Sequence, residues 1–395
     1  MKKNKKFKEK YKAFYIPQIE QRNSKAKRFQ HTTLAAVILS LSFLGFFLFD
    51  IIKTGFPAFQ QSYIKVEIKI DEESASNPYG LLNRDLSQLV SRAWLRTLPQ
   101  DIEQNPQWVG TTQTFWALLN AEADQHVKGK QSRLRENLKA KVEEMVIQGD
   151  IEKRFNIIFF FTGDSKIPEN AGFYSAIIGS VLTMLVTMTL AVPIGVMTAI
   201  YLEEFAPDNK ITQLIEININ NLAAIPSILF GLLGLAIFIN FFGVPRSSPL
   251  AGGMTLALMS LPIIIVSTKA ALKSVPASIR QAGYGLGLTK WQVTKDHVLP
   301  VAFPGILTGS IIALAQAMGE TAPLIIVGMI AFVPDPVTSI TSAATVMPAQ
   351  IYTWSGMPEL AYIEKTAAGI MVLLTVLISL NTIAVILRKK FEVKW

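Results

Sequence analysis

Six apolar stretches, each long enough to cross a bilayer, constrain this sequence more than any other feature. They lie near Leu34 to Ile52, Phe173 to Leu202, Leu222 to Phe242, Ala251 to Ala271, Pro304 to Val333 and Thr366 to Leu387. An α-helix needs roughly 20 predominantly apolar residues to span hydrocarbon. Inside lipid the backbone N–H and C=O groups find no water, so a lone spanning stretch must satisfy them as a helix. The expected class is an all-α integral membrane protein with transmembrane helices at about 34–52, 173–202, 222–242, 251–271, 304–333 and 366–387.

The first stretch reads as a retained helix rather than a secretory signal, because it ends in Phe49-Asp50-Ile51-Ile52-Lys53 with no small-residue cleavage site. The formal charge is +9, and the basic residues sit where membrane topology puts them. Lys2, Lys3, Lys5, Lys6, Lys8, Lys10 and Lys12, then Lys25, Lys27 and Arg28, precede the first stretch. Lys269, Lys273, Arg280, Lys290 and Lys295 lie between the fourth and fifth, and Arg388, Lys389 and Lys390 follow the sixth. The positive-inside rule makes all three groups cytoplasmic, with a basic N-terminus at 1–33, a tail at 389–395 and both termini inside. Topology, not nucleic-acid binding, accounts for the basic balance. The acidic segment Glu203 to Lys210 runs against the pattern, but acidic residues weigh little in that rule.

Cysteine is absent, which excludes thiol redox chemistry, and His31, His126 and His297 are too scattered to suggest a metal site. Residues 53–172 differ in kind: Trp94, Trp108 and Trp116 and many nearly cancelling charges mark a periplasmic insert of domain size. Tyr63, Lys65, Glu67 and Lys69 alternate with Ile64, Val66, Ile68 and Ile70, the pattern of a half-buried strand. Leu134, Leu138, Val142 and Val146 recur every fourth position, which predicts an amphipathic helix over 131–147. The insert therefore reads as a small mixed α/β module, serving stability and assembly or docking an external protein, with the first reading favoured. His126 has no Ser or Cys arranged beside it as a nucleophile, and no catalytic constellation is found.

Function is expected at the two long connections, Lys273 to Leu299 inside and Val333 to Lys365 outside, and in the helices beside them. The inside loop runs from Ser274 to Pro300. Pro276 and Ser278 favour a helix start and Gly283, Gly285 and Gly287 a break, so a short helix, a turn and a second short helix are expected. Such a hairpin suits a mechanical contact, since a flexible loop would absorb a partner's movement. It is not a P-loop: that motif needs Gly directly before Lys, whereas two residues separate Gly287 from Lys290. The loop resembles the E-A-A-x-x-x-G…I-x-L-P segment of type I ABC importer permeases. Gln281, Ala282, Gly283, Gly287, His297, Leu299 and Pro300 hold its positions with the spacing kept, although Gln, Gly and His replace the first acid, the second alanine and the isoleucine. The resemblance implies the type I permease fold and coupling to a separate ATPase subunit through these residues and Arg280.

In the fifth stretch Gly305, Gly309, Ala313 and Ala317 place small residues on one face, which lets helices approach closely. Glu320, one turn after Gln316, is an ionisable residue inside a span, costly unless it faces a partner or an aqueous path. At about 1.5 Å per residue it stands some 20 Å from a start near Ile306, in the outer half of a roughly 30 Å core. Ala223 to Leu232, Gly319 to Leu324, Met347 to Trp354 and Phe391 to Trp395 together resemble the phosphate permeases of the PstA family, over roughly 173–395. That resemblance implies an inner-membrane, multi-pass subunit for phosphate import, neither enzyme nor cofactor-dependent. It implies as partners a PstC-like second permease, two PstB-like ATPase subunits, a PstS-like periplasmic binding protein and membrane lipid. Gln316 and Glu320 would lie along the translocation path. The family usually has Arg where this chain has Gln316, and a carboxylate repels an anion, so Glu320 is expected to position an Arg or make a structural hydrogen bond. A permease for another oxyanion, or a membrane-anchored sensor, are the competing readings.

Overall fold

The first apolar stretch and the basic segment before it form one helix, α1 (Lys2–Gly55). The computed structural model describes residues 2–71 and 80–391, so the end of the tail, 392–395, lies outside the described residues. The chain divides into two units, Met1–Lys53 and Thr54–Trp395. The first is helix alone.

The second unit opens with the insert. Alternation works as the sequence suggests: β1 (Gln60–Lys69) buries Ile64, Val66 and Ile68 and exposes Lys65, Glu67 and Lys69. A period of two places the apolar set on one face of the sheet. Helices α2 (Arg92–Gln104), α3 (Ala121–Val127) and α4 (Glu136–Gln148) and strands β2 (Thr112–Leu118) and β3 (Ile151–Phe155) complete it. The sheet runs β2-β1-β3, all antiparallel, with Lys65 opposite Trp116 and Ser62 opposite Lys153. The apolar face of β1 meets Leu95, Leu98, Leu138 and Val142 in a core of the insert's own. Helix α4 begins five residues later than the amphipathic stripe predicts. The Glu122 carboxylate accepts from the Arg133 backbone N–H at 2.5 Å and from the Ser132 hydroxyl at 3.2 Å, which holds the lead-in outside the helix. Val146, the last of the stripe, is exposed.

A short apolar helix, α5 (Ile157–Phe161), leads to the bundle. Its helices are α6 (Tyr174–Phe205), α7 (Lys210–Leu222), α8 (Ser227–Phe241), α9 (Pro249–Lys273), α10 (Ala277–Gly285), α11 (Lys290–Gly319), α12 (Ala322–Ile326), α13 (Met347–Ser355) and α14 (Leu360–Phe391). Among the described residues, five helical segments are long and apolar enough to cross a membrane: Gln21–Phe59, α6, α9, α11 and Leu360–Lys390. The bent pair α7 and α8 makes a sixth if taken as one span. The expected helix 222–242 is thus corrected to Ser227–Phe241, which turns through 106° from α7. Pro226 is the cause. Its ring cannot continue a helix from α7, and it becomes the N-cap of α8 instead.

The expected helix 304–333 also breaks. Helix α11 stops at Gly319, and Glu320 is extended at φ −75°, ψ 131°. Pro323 supplies the reason, because its ring would strike the Gly319 carbonyl one turn back and it has no N–H to bond it. Glu320 is therefore a helix-terminal residue rather than one enclosed mid-helix. The small face of α11 packs as expected against α9: a Cβ on Gly309 would lie 2.0 Å from the Ser267 hydroxyl oxygen, and one on Gly305 2.6 Å from the Ala271 Cβ.

Insert and bundle are joined by buried charge. The Lys128 ammonium lies 2.6 Å from Asp124 and 2.8 Å from Glu364, and Lys130 lies 2.8 Å from the other Glu364 oxygen. The Gln125 amide donates to Glu364 at 2.7 Å, and Asp124 accepts from the Ser62 backbone at 2.9 Å. Lys365 donates to the Ala171 carbonyl. Side chains of Lys128 and Glu364 are only 6% and 4% exposed, so each charge depends on its partners.

Candidate functional site

The hairpin between α9 and α11 starts at Pro276, whose φ of −57° and ψ of 139° make it the N-cap of α10. Gly287 then turns the chain at φ +81°, a left-handed conformation that costs other residues about 1–2 kcal/mol. Thr289 and Gln292 close the turn with a capping box: the Gln292 carbonyl oxygen accepts from the Thr289 backbone at 2.8 Å, and the Thr289 hydroxyl accepts from Gln292. Gly283 is buried because α10 crosses the start of α11 there. A Cβ at that position would lie 2.7 Å from the Val293 Cγ2. The second arm is not a short helix: α11 runs without interruption from Lys290 to Gly319, through a turn of π geometry at Val293–Val298.

Arg280 turns inward. Its guanidinium donates to both Glu204 oxygens, at 2.6 and 3.4 Å, and to the carbonyls of Leu272 at 3.0 Å and Val275 at 2.8 Å. Glu204 sits in the widened last turn of α6, with its side chain 5% exposed. The Lys290 ammonium lies 5.7 Å from the Phe205 ring centre, and Lys273 lies 3.8 Å from Glu203. The hairpin is thus clamped to the end of α6 by the acidic segment that ran against the charge pattern. Glu204 escaped the sequence reading, although an acidic pair opposite an arginine-bearing loop was a usable signal.

The clamp leaves three large apolar side chains uncovered. Leu286 is 80% exposed, Trp291 56% and Tyr284 44%. Gln281, Ala282, His297 and Pro300 are also exposed, and Leu299 is half-buried against Val298 and Ala302. Large apolar side chains on a rigid hairpin form a surface suited to a protein partner.

Gln316 and Glu320 lie at the far end of α11 from this hairpin. Gln316 is exposed, and Glu320 is half-buried with no ion pair among the described residues. Pro323, beside the break, packs closely on Gly231 of α8. No group of three or more metal-ligating side chains occurs among the described residues.

The family described as "Binding-protein-dependent transport system inner membrane component" matches residues 191–393, which contain the whole hairpin, Gln316 and Glu320. A second family, described as a domain of unknown function (DUF3333), matches residues 17–82 and 80–136. The "Probable ABC transporter permease protein YqgI" of Bacillus subtilis is 32% identical over 181 residues, 46% of this chain and 60% of that protein. The "Phosphate transport system permease protein PstA" of Yersinia pestis is 32% identical over 233 residues, 58% of this chain and 78% of that one. Its namesake in Mycobacterium leprae is 33% identical over 213 residues, covering 53% and 68%. The family match takes in more than half of the chain, on helices able to cross a membrane. This chain therefore belongs to the binding-protein-dependent transport system inner membrane components, as a multi-pass, non-catalytic membrane subunit.

Proposed function

We propose that this chain is one permease half of an ATP-driven phosphate importer, with the exposed tip of the hairpin seated on a separate ATPase subunit. The observation that carries the reading is the clamp. Arg280 held by Glu204, with Gly283 against Val293, ties the hairpin to α6, α9 and α11 together, so force on Leu286 and Trp291 reaches three spans at once. The phosphate-specific element comes from the PstA names of the relatives. A PstC-like second permease, two PstB-like ATPases and a PstS-like periplasmic binding protein complete the transporter. In this reading both termini and the hairpin are cytoplasmic, the insert is periplasmic, and Gln281, Ala282, Gly287, Leu299 and Pro300 border the ATPase contact.

Gln316 and Glu320 are the proposed path residues, near the outer end of α11. A carboxylate repels an anion at close range. Glu320 therefore acts best by holding a cationic side chain of the second permease rather than by touching phosphate.

Leu286→Asp tests the contact. Affinity purification of the wild-type chain in mild detergent recovers an ATPase subunit, and the variant loses it and phosphate uptake while its amount in the membrane is unchanged. Uptake at the wild-type rate in the variant, or no ATPase with the wild type, removes the reading.

A further inference from the structure

The insert meets the bundle through a row of phenylalanines that the fold covers on one side only. Phe56 follows directly on the last residue of α1. Ring centres link Phe56 to Phe59 at 6.3 Å, Phe59 to Phe160 at 5.6 Å, and Phe160 to Phe155 at 5.6 Å with planes 5° apart. Phe59 and Phe160 lean on the bundle core, and Phe159 stacks on Phe173 at 5.7 Å. The outer side chains of this row have nothing over them: Phe56 is 58% exposed, Phe155 59%, Ile157 60% and Phe161 69%.

Their place in the second unit is set by the start of α6. Phe56 lies where α1 ends, and the Phe159–Phe173 stack holds α5 level with the first turn of α6, which begins at Tyr174. In the reading above, α6 leaves the bilayer near this turn. Helix α5 offers Ile157, Ile158, Phe159, Phe160 and Phe161 and not one polar side chain. A protein interface of ordinary composition mixes hydrogen-bonding groups with its apolar ones. An interfacial segment carries Trp, Phe or Leu on its lipid face and Lys or Arg on its polar face. Lys153 is exposed and falls on the same strand face as Phe155, two residues away along β3.

We propose that Phe56, Phe155, Ile157 and Phe161 form an interfacial anchor seated in the outer lipid surface, which sets the height of the insert above the bilayer. It rests on the reading that α1 and α6 cross the membrane.

The chain has no cysteine, so Phe161→Cys carries a single nitroxide label. It is placed in the assembled transporter in phosphatidylethanolamine–phosphatidylglycerol nanodiscs. Phe43→Cys, 73% exposed within the first apolar stretch, and Ile147→Cys, 86% exposed on α4, give the lipid and water references. Power saturation with oxygen and with a water-soluble nickel chelate should place position 161 between them, with an oxygen-to-nickel accessibility ratio several-fold above that at 147. Ile157→Cys repeats the reading should loss of the Phe161 ring disturb the row. A ratio equal to that at 147 overturns the anchor, and so does a label shielded from both reagents, which would mean that protein covers the row. If position 43 also reads as water, the membrane reading falls with it. If position 43 reads as lipid, only the anchor falls.

Discussion

Arg280 does its work by facing away from the surface it serves. Its guanidinium is committed to Glu204 and two backbone carbonyls, so the hairpin tip is left to apolar side chains that need no partner within this chain. Removing one member of a buried pair strands the other charge, at about 3–5 kcal/mol. Some of that is regained here because Arg280 is 21% exposed. Arg280→Ala and Glu204→Ala should each destabilise by about 2–3 kcal/mol, and the double variant by clearly less than their sum. Thermal melts of the four proteins in detergent measure the coupling, and strict additivity would show that no clamp exists. Lys in place of Arg280 should recover little, since it lacks the fork that reaches both Glu204 oxygens.

At the scale of elements, Glu320→Gln separates a charge from a cap. The extended backbone at position 320 follows from Pro323, so the variant should keep its fold and its thermal midpoint, while phosphate uptake in intact cells falls if the negative charge holds a cation of the second permease. Unchanged uptake would leave Glu320 as a helix terminus only. The two helix breaks show what sequence reading misses and why. Pro226 and Pro323 were both visible, but each lies within an apolar run whose mean hydropathy hides one residue. Strand β1 was legible because burial on one side imposes a period of two on adjacent residues. The stripe containing Leu138 and Val142 was legible too, but its start was not, since Glu122 sets it from outside the helix. The clamp joins residues 76 positions apart, and the charge cluster joins residues 236 apart. Local spacing shows neither pairing, although the acidic pair Glu203 and Glu204 hinted at the clamp. The hairpin's turn, by contrast, falls at Gly287, one of the three neighbouring glycines from which the break was read, while the Thr289–Gln292 capping box that closes it was not.

At the scale of the molecule, buried charges join insert and bundle alongside the packing of Phe159 on Phe173. Glu364→Ala leaves Lys128 and Lys130 facing each other's charge without a shared carboxylate, and should cost about 3–5 kcal/mol. Lys128→Met should cost less, because its aliphatic replacement still fills the site. Proteolysis at the insert boundary would report the loss, and equal resistance in wild type and Glu364→Ala would rule out a stabilising role. Burial pulls the Lys128 ammonium down, but Asp124 and Glu364 outweigh it and hold it above its ordinary value of 10.5. Its contribution is present below that value and is lost only as pH rises through the higher, folded-state value. Glu169 behaves in the opposite chemical sense. Burial raises its carboxyl above the ordinary 4.5, against hydrogen bonds from Ser91 and the Ala121 backbone and the nearby Lys365 charge. A raised folded value means tighter proton binding in the native state, so its stabilising contribution is full below 4.5 and disappears as pH rises through the folded value. Acidification from neutral pH through that window should stabilise the wild type relative to Glu169→Gln, and melting curves at several pH values measure the difference. Parallel pH profiles would contradict it.

Lys130 and Glu364 stand 234 residues apart in the chain. During synthesis the insert, with its own apolar core, is complete long before α14 exists. Lys128, Lys130 and Asp124 spend that interval in water, where their charges need no partner. Glu364 arrives only with α14, so the cluster is incomplete until then, and a chain stopped before Leu360 should keep a folded insert, which limited proteolysis would show.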